Sequence, residues 1–418
     1  MSAENIREAE PLREIPFEED LLKLLRYTGE KYMTLPAGEK PNQEEVYIIC
    51  NRLSVLLDQE ETKKEYSERF LVEVRNLILI AELSADFSDN GWSPEYAKKQ
   101  RDSLTQIVRN ICESLFGNPD FPETMPLDDM LEEAKQAFNA DTEHPTDPTL
   151  TVQRRFAEQW RGQHLIIIDT EGEQKMQQGV DLTLEEEQRV RQKQEQEIQL
   201  YRSIYEHLKN KTREMALQWG ISPEIYDSLK LEIKFDFESG DGKYAGISFY
   251  DSEKNILTIR LGFLRYKTFP EAMVFLAHEG LPGHALDSLI KSVCIKKGLM
   301  KPEQKYDYML GSPDTLLLEG IALTLAKEWK ASDTKDLSVS IEQAQVVEIA
   351  VRPLHRLRYE MVKAYIKEGE EGLEKVKEMF EAFFEKSMLD FQINDFKKKL
   401  ETQDVFYLFY HALYYLGI

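Results

Sequence analysis

Pro282 constrains this chain more than any other residue. It stands four positions after His278 in the stretch Ala272-Met-Val-Phe-Leu-Ala-His278-Glu279-Gly-Leu-Pro282-Gly283-His284. A proline there cannot donate to the His278 carbonyl, and its ring clashes with that carbonyl. A helix running through Ala272–Ala277 therefore has to break before it reaches His284. Gly283 can take backbone angles closed to other residues, which suits an irregular turn. Thr268 and Glu271 have the spacing of a capping box, with Pro270 in the first turn, so a helix start is predicted there. Ala272–Ala277 is apolar on every side, which predicts a buried helix rather than an amphipathic one. Ionisable groups are not left alone in a core, so a buried helix ending in His-Glu needs partners for both.

One partner is a metal ion. In His-Glu-x-x-His the two imidazoles sit at i and i+4 on one helix face, with the Glu as base. Here the second His is at i+6. On an unbroken helix it would lie about 120° round and roughly 9 Å along the axis. Two ligands at about 2 Å from one ion cannot be that far apart. Either the two share no metal and the motif is a helix terminus satisfied internally, or the break at Pro282-Gly283 folds His284 back beside His278. A third ligand has to come from elsewhere. Ser312-Pro313 reads as an N-cap followed by Pro at the first helical position. The helix it opens carries Glu319, one carboxylate in an almost wholly apolar segment. Such a group is protonated, paired or on a metal. Gly320 beside it allows close approach of another element.

These residues resemble domain-of-unknown-function family 885, whose members look like zinc metallopeptidases of the gluzincin type. His278-Glu279-Gly280-Leu281-Pro282-Gly283-His284 matches the family's His-Glu-x-x-Pro-Gly-His signature. Its later Glu-Gly-Trp-Ala signature is matched by Glu319-Gly320-Ile321-Ala322, with Ile in place of Trp. The family often has a second His directly after the first motif. This chain has Ala285 there, which removes a side-chain contact and leaves the ligands whole. Tyr414-Tyr-Leu-Gly417 resembles a late Tyr-x-x-Gly. The resemblance covers about residues 230 to 330, thins towards the C-terminus and is absent before residue 200. It implies a mainly α, multi-helix gluzincin-like fold, Zn²⁺ as cofactor, and short peptides as substrates, cut in the manner of a carboxypeptidase. His278, His284 and Glu319 would be the ligands and Glu279 the general base.

Charge narrows the partners. The chain has 53 basic and 76 acidic residues among 418, a formal −23. That field repels phosphate backbones and anionic lipid, so nucleic-acid and membrane-surface binding are not expected. No run of about 18 apolar residues occurs, so no membrane span is expected. Cys50, Cys112 and Cys294 are few, odd in number and far apart, which points to a reducing cytoplasm. Met1–Asp20 has no apolar h-region, so no signal peptide is expected. Asn210-Lys-Thr212 is a sequon by chance in a predicted helix.

Residues 1–230 read as a mostly helical region and 231–418 as a catalytic one, with the two able to form one continuous domain. Helices are predicted over Glu44–Leu57, Phe70–Ala85 and Ala97–Phe116, with Asp89–Pro94 as a break. Gly117–Pro122 and His144–Pro148 read as loops around a short helical stretch. Thr183–Trp219 is long and polar, with a capping box at Thr183 and Glu186 and an apolar stripe of Ile198, Tyr201, Ile204, Tyr205 and Leu208, and reads as a solvated surface helix ahead of a coiled-coil partner site. From Leu231 the pattern alternates. Leu231–Phe237, Gly246–Tyr250 and Ile256–Leu261 read as a small antiparallel sheet directly before the His-Glu helix. Such a sheet either packs the helix or holds an extended substrate along its edge.

The remaining candidates lie on the C-terminal helices. Val346–Lys367 carries Arg352 and His355, with His355 and Tyr359 four apart on one face. Asp404–Ile418 carries Tyr407, Tyr410, His411 and Tyr414. A peptidase needs a Tyr or His to donate to the tetrahedral oxyanion, and an Arg suits a substrate carboxylate. Tyr414 is the candidate donor, and His411, Arg352 and His355 are candidate substrate contacts. Against this stands core packing, the commoner role of Tyr on apolar helices. Asp287, a turn after His284, could orient its imidazole. His144, His164 and His207 read as surface residues. Two other functions share these residues: a metal-dependent hydrolase of a non-peptide amide or ester, and an inactive helical scaffold that keeps the motif for folding.

Overall fold

Side-chain caps open three helices of the N-terminal region. The computed structural model describes residues 17–29, 41–139, 151–156, 182–227, 231–236, 249–251, 256–260, 269–300 and 341–401. The described residues up to Asp120 form one compact unit of α1 (Phe17–Gly29), α2 (Gln43–Leu57), α3 (Glu60–Glu65), α4 (Glu68–Asn90) and α5 (Pro94–Phe116). Asn42 and Glu45 make a capping box at α2, each side chain accepting from the other's backbone N–H, at 3.0 and 2.9 Å. Ser67 accepts from the Phe70 N–H at the start of α4, and Ser93, followed by Pro94, accepts from the Tyr96 N–H at the start of α5. Apolar residues three and four apart then face one core: Leu21, Leu24, Val46, Ile49, Leu53 and Leu77 are all buried. At its margin the Asp20 carboxylate, 1% exposed, takes two bonds from Arg52, at 2.9 and 2.6 Å.

The second unit contains α6 (Leu127–Asn139), α7 (Val152–Arg155), α8 (Leu184–Gln218), α9 (Pro223–Asp227), β1 (Glu232–Asp236), β2 (Phe249–Asp251), β3 (Ile256–Arg260), α10 (Phe269–Glu279), α11 (His284–Lys296), α12 (Ile341–Glu368), α13 (Glu370–Met379) and α14 (Lys386–Glu401). Leu231, where the sequence turns strand-like, lies within this unit. The fold is mainly α with one small sheet. No helix among the described residues is long and apolar enough to cross a membrane.

Strand order corrects the expected antiparallel sheet. The order is β1-β3-β2, with β3 parallel to β1 and antiparallel to β2. Only residues 252–255 separate β2 from β3, which suits a hairpin. The much longer stretch between β1 and β3 is what a parallel pairing requires. β3 is thus the middle strand, and β1 and β2 are the outer ones.

Helix α8 carries the expected cap and apolar stripe. Its predicted capping box is present, with Thr183 Oγ1 accepting from the Glu186 N–H and Glu186 Oε2 accepting from the Thr183 N–H at 2.8 Å. Its outer face is exposed, but it is not simply a solvated helix. Tyr201, Ile204 and Leu208 are fully buried with Leu257 of β3 and Leu276 and Ala277 of α10. The stripe is sparse among charged residues, yet it lies on one face and covers an apolar helix that needs covering on every side.

Candidate metal centre

Helix α10 stops at Glu279 and α11 starts at His284. Between them four residues form a turn whose backbone groups bond to the end of α10 and the start of α11. The Gly280 N–H donates to Leu276 O at 3.0 Å, the Gly283 N–H to Ala277 O at 2.8 Å and the Ala285 N–H to Gly280 O at 2.9 Å. The Leu281–Pro282 peptide is cis. Gly283 is the tight point. A Cβ there would lie 1.8 Å from the His278 carbonyl oxygen, 2.6 Å from its carbon and 2.7 Å from Ala277 O. All three are backbone atoms, so the turn closes only around a hydrogen. The φ of −65° is open to any residue, and the close approach of these carbonyls is what excludes a side chain. At Gly280 a Cβ would meet Leu276 O at 2.8 Å and Leu257 Cδ2 of β3 at 3.2 Å.

This turn brings the two imidazoles together. Their ring centres are 4.8 Å apart, with 76° between the planes. Glu279 Oε2 lies 4.0 Å from His284 Nε2. One ligand atom from each of His278, Glu279 and His284 lies within 4.8 Å of the others. Ligands at about 2.1 Å from one ion are at most about 4.2 Å apart, so small side-chain rotations bring this group to coordination distance. Both histidines are buried and Glu279 is half-buried. Two imidazole nitrogens and a carboxylate are donors that suit zinc and its neighbours. The group could therefore hold a metal ion.

The other candidates divide. Glu319, His411 and Tyr414 lie outside the described residues, as do His144 and His164. The Asp287 carboxylate pairs with Lys291, one turn on, at 2.7 Å. Arg352 donates to Glu133 Oε2 of α6 at 2.5 Å. Its helix face continues to Tyr359, whose ring meets Phe121 edge-on at 5.4 Å and whose hydroxyl donates to Pro122 O at 3.3 Å. Arg356 pairs with Glu360 at 2.6 Å and sits 5.4 Å from the Tyr359 ring centre. This face of α12 is thus turned to α6 and the segment before it. His355 is half-buried on the same helix, and His207, expected at the surface, is half-buried on α8. Sequence reasoning missed Glu133 as the partner of Arg352, because 219 positions separate them and no local pattern links them. It also passed over Gly280, whose signal is a glycine within a helix-ending motif.

Compared with protein-family models, curated proteins and solved structures, the chain matches none.

Proposed function

We propose that this chain is a zinc-dependent metallopeptidase that hydrolyses short peptides. The observation that carries the reading is the convergence of His278, His284 and Glu279 at a helix break that Pro282 and Gly283 impose. The resemblance of the same residues to family 885 supports it. His278 and His284 hold the ion through ring nitrogens, and Glu319 is the proposed third ligand on the strength of its apolar sequence setting. Zinc is the metal chosen because two His and one Glu with an open position suit it. When bound, the ion supplies Lewis acidity and lowers the pKa of a coordinated water towards neutrality.

Glu279 follows a ligand directly and is half-buried, close to His284 and still open to solvent. It takes the proton of the attacking water and passes it to the leaving amine. Tyr414 is the proposed donor to the tetrahedral oxyanion, and His411 a proposed substrate contact. Arg352 already has Glu133 as a partner, so it must share that pair to receive a substrate carboxylate. His355 on the same helix is the alternative contact. The three cysteines are free, which suits a reducing cytoplasm.

The test is Glu279→Gln. It should keep the metal and lose turnover by about 10²–10⁴-fold, the usual contribution of a general base. A peptide-library digest read by mass spectrometry tests the substrate class. Metal retention with cleavage of non-peptide amides or esters alone would replace the peptidase by a different hydrolase. Full peptide hydrolysis by Glu279→Gln would remove the base assigned here.

A further inference from the structure

The metal-binding turn lies where two apolar clusters meet. On one side Leu276 and Ala277 of α10 belong to the buried cluster of Tyr201, Ile204 and Leu208. On the other side Leu281, Ala285 and Leu286 belong to a cluster that includes Tyr205. His278, Glu279 and Gly280 lie between these two sets. Helix α8 therefore supplies both clusters from residues about one turn apart, so it spans the break between α10 and α11. Tyr205 is buried, and its hydroxyl donates to Leu231 O at 3.3 Å. Leu231 and Ile233, at the start of β1, pack against both clusters.

We propose that Tyr205 is a positioning residue for the metal centre. Within its cluster it holds Leu281 and Ala285, and with them the start of α11, so that His284 stays beside His278 before any ion arrives. The inference rests on the metal-centre reading above. Its physical basis is packing. An interior this dense transmits a lost ring as a shift of its neighbours, and the neighbours here flank the two ligands. A shift of the second limb separates the imidazoles, whereas a shift elsewhere in the unit does not.

The experiment uses the full chain as Tyr205→Ala and Tyr205→Phe, with Leu53→Ala as a control that loses buried apolar contacts in the core of the N-terminal unit, a cluster that contains none of the turn's residues. Two readouts are taken. The first is amide hydrogen exchange of Gly283 and Ala285 in metal-free protein, since these N–H groups close the turn. The second is Co²⁺ titration followed by visible absorption. Tyr205→Ala should speed exchange at both amides relative to Leu53→Ala and weaken Co²⁺ binding by about 10–100-fold, the range for a residue supporting metal ligands. It should also change the cobalt absorption bands, which a general loss of stability does not. Tyr205→Phe should restore both readouts. Should Tyr205→Ala fail to fold, Tyr205→Leu, which keeps an apolar side chain without the ring, takes its place. Exchange and cobalt binding indistinguishable from the Leu53→Ala control would overturn the inference. A wild-type chain that takes up no Co²⁺ would instead sink the metal reading, and the exchange data tell the two failures apart.

Discussion

Replacing Gly283 by alanine tests the hinge most severely. The added Cβ would start 1.8 Å from the His278 carbonyl oxygen and 2.7 Å from that of Ala277. Relieving the first contact to even 3 Å takes a relative movement of about 1.2 Å in a close-packed interior. Overpacking of this kind costs about 1–3 kcal/mol. Opening the turn also gives up the Gly283 N–H bond to Ala277 O, worth about 0.5–1.5 kcal/mol. The expected loss of folding stability is therefore about 2–4 kcal/mol, by combination of those terms. The effect on metal should be larger still. Coordination distances tolerate only about ±0.2 Å, and the carbonyl that must move belongs to His278 itself. Gly298→Ala is the matched control. It sits at φ +68° with nothing within 4 Å of the new Cβ, so its cost is the left-handed backbone alone, about 1–2 kcal/mol. Urea unfolding gives the stabilities, and competition with a chelator gives the zinc affinities. Zinc binding by Gly283→Ala within threefold of wild type, with a stability loss no greater than that of Gly298→Ala, would refute the argument that this turn permits only glycine.

Other outcomes follow from single sites. Arg52→Met should destabilise the N-terminal unit by about 3 kcal/mol, because it leaves the buried Asp20 carboxylate without its two-point partner. Adding Asp20→Asn should recover part of that loss in urea unfolding, and no recovery would mean the charge is not the cause. Burial pushes the Cys50 thiol up to about 12 and the Cys112 thiol up to about 11, while Cys294 is half-exposed. A thiol reagent at pH 8 should therefore label Cys294 first and the other two only on unfolding; three equal rates in native protein would contradict the packing. The Glu82 carboxyl is held above the usual carboxylate range by burial and then by Asp86, against the pull of Lys99. A raised carboxyl pKa means ionisation opposes folding, with no penalty below the unfolded value and the full penalty above the folded one. Glu82→Gln should thus stabilise the protein at pH 7, with the gain fading as pH falls towards 4. A gain independent of pH would point to packing instead.

The hinge was legible because it is local. Pro282, Gly283 and the six-residue spacing of the two histidines all act within two helical turns, and elementary helix geometry says what each forbids. The capping boxes at Asn42–Glu45 and Thr183–Glu186 belong to the same class of short-range chemistry, although only the second was anticipated. Pairing across distance was not legible. The alternation in β1 and β3 marks both as strands, but their parallel direction depends on how the intervening chain runs. α8 carries so many Glu, Gln, Arg and Lys that its few apolar residues look like a minor stripe. Only their placement against α10 and the start of α11 shows that they cover the turn between those two helices. The Arg352–Glu133 pair depends on two helices meeting, which no residue near either position announces.

Metal content decides the central claim most directly. Elemental analysis of the purified full chain after exchange into zinc should find one Zn²⁺ per chain, kept by Glu279→Gln and lost by His278→Ala and by His284→Ala. A wild-type chain that retains no divalent ion, or histidine variants that retain it as well as wild type does, would contradict the account.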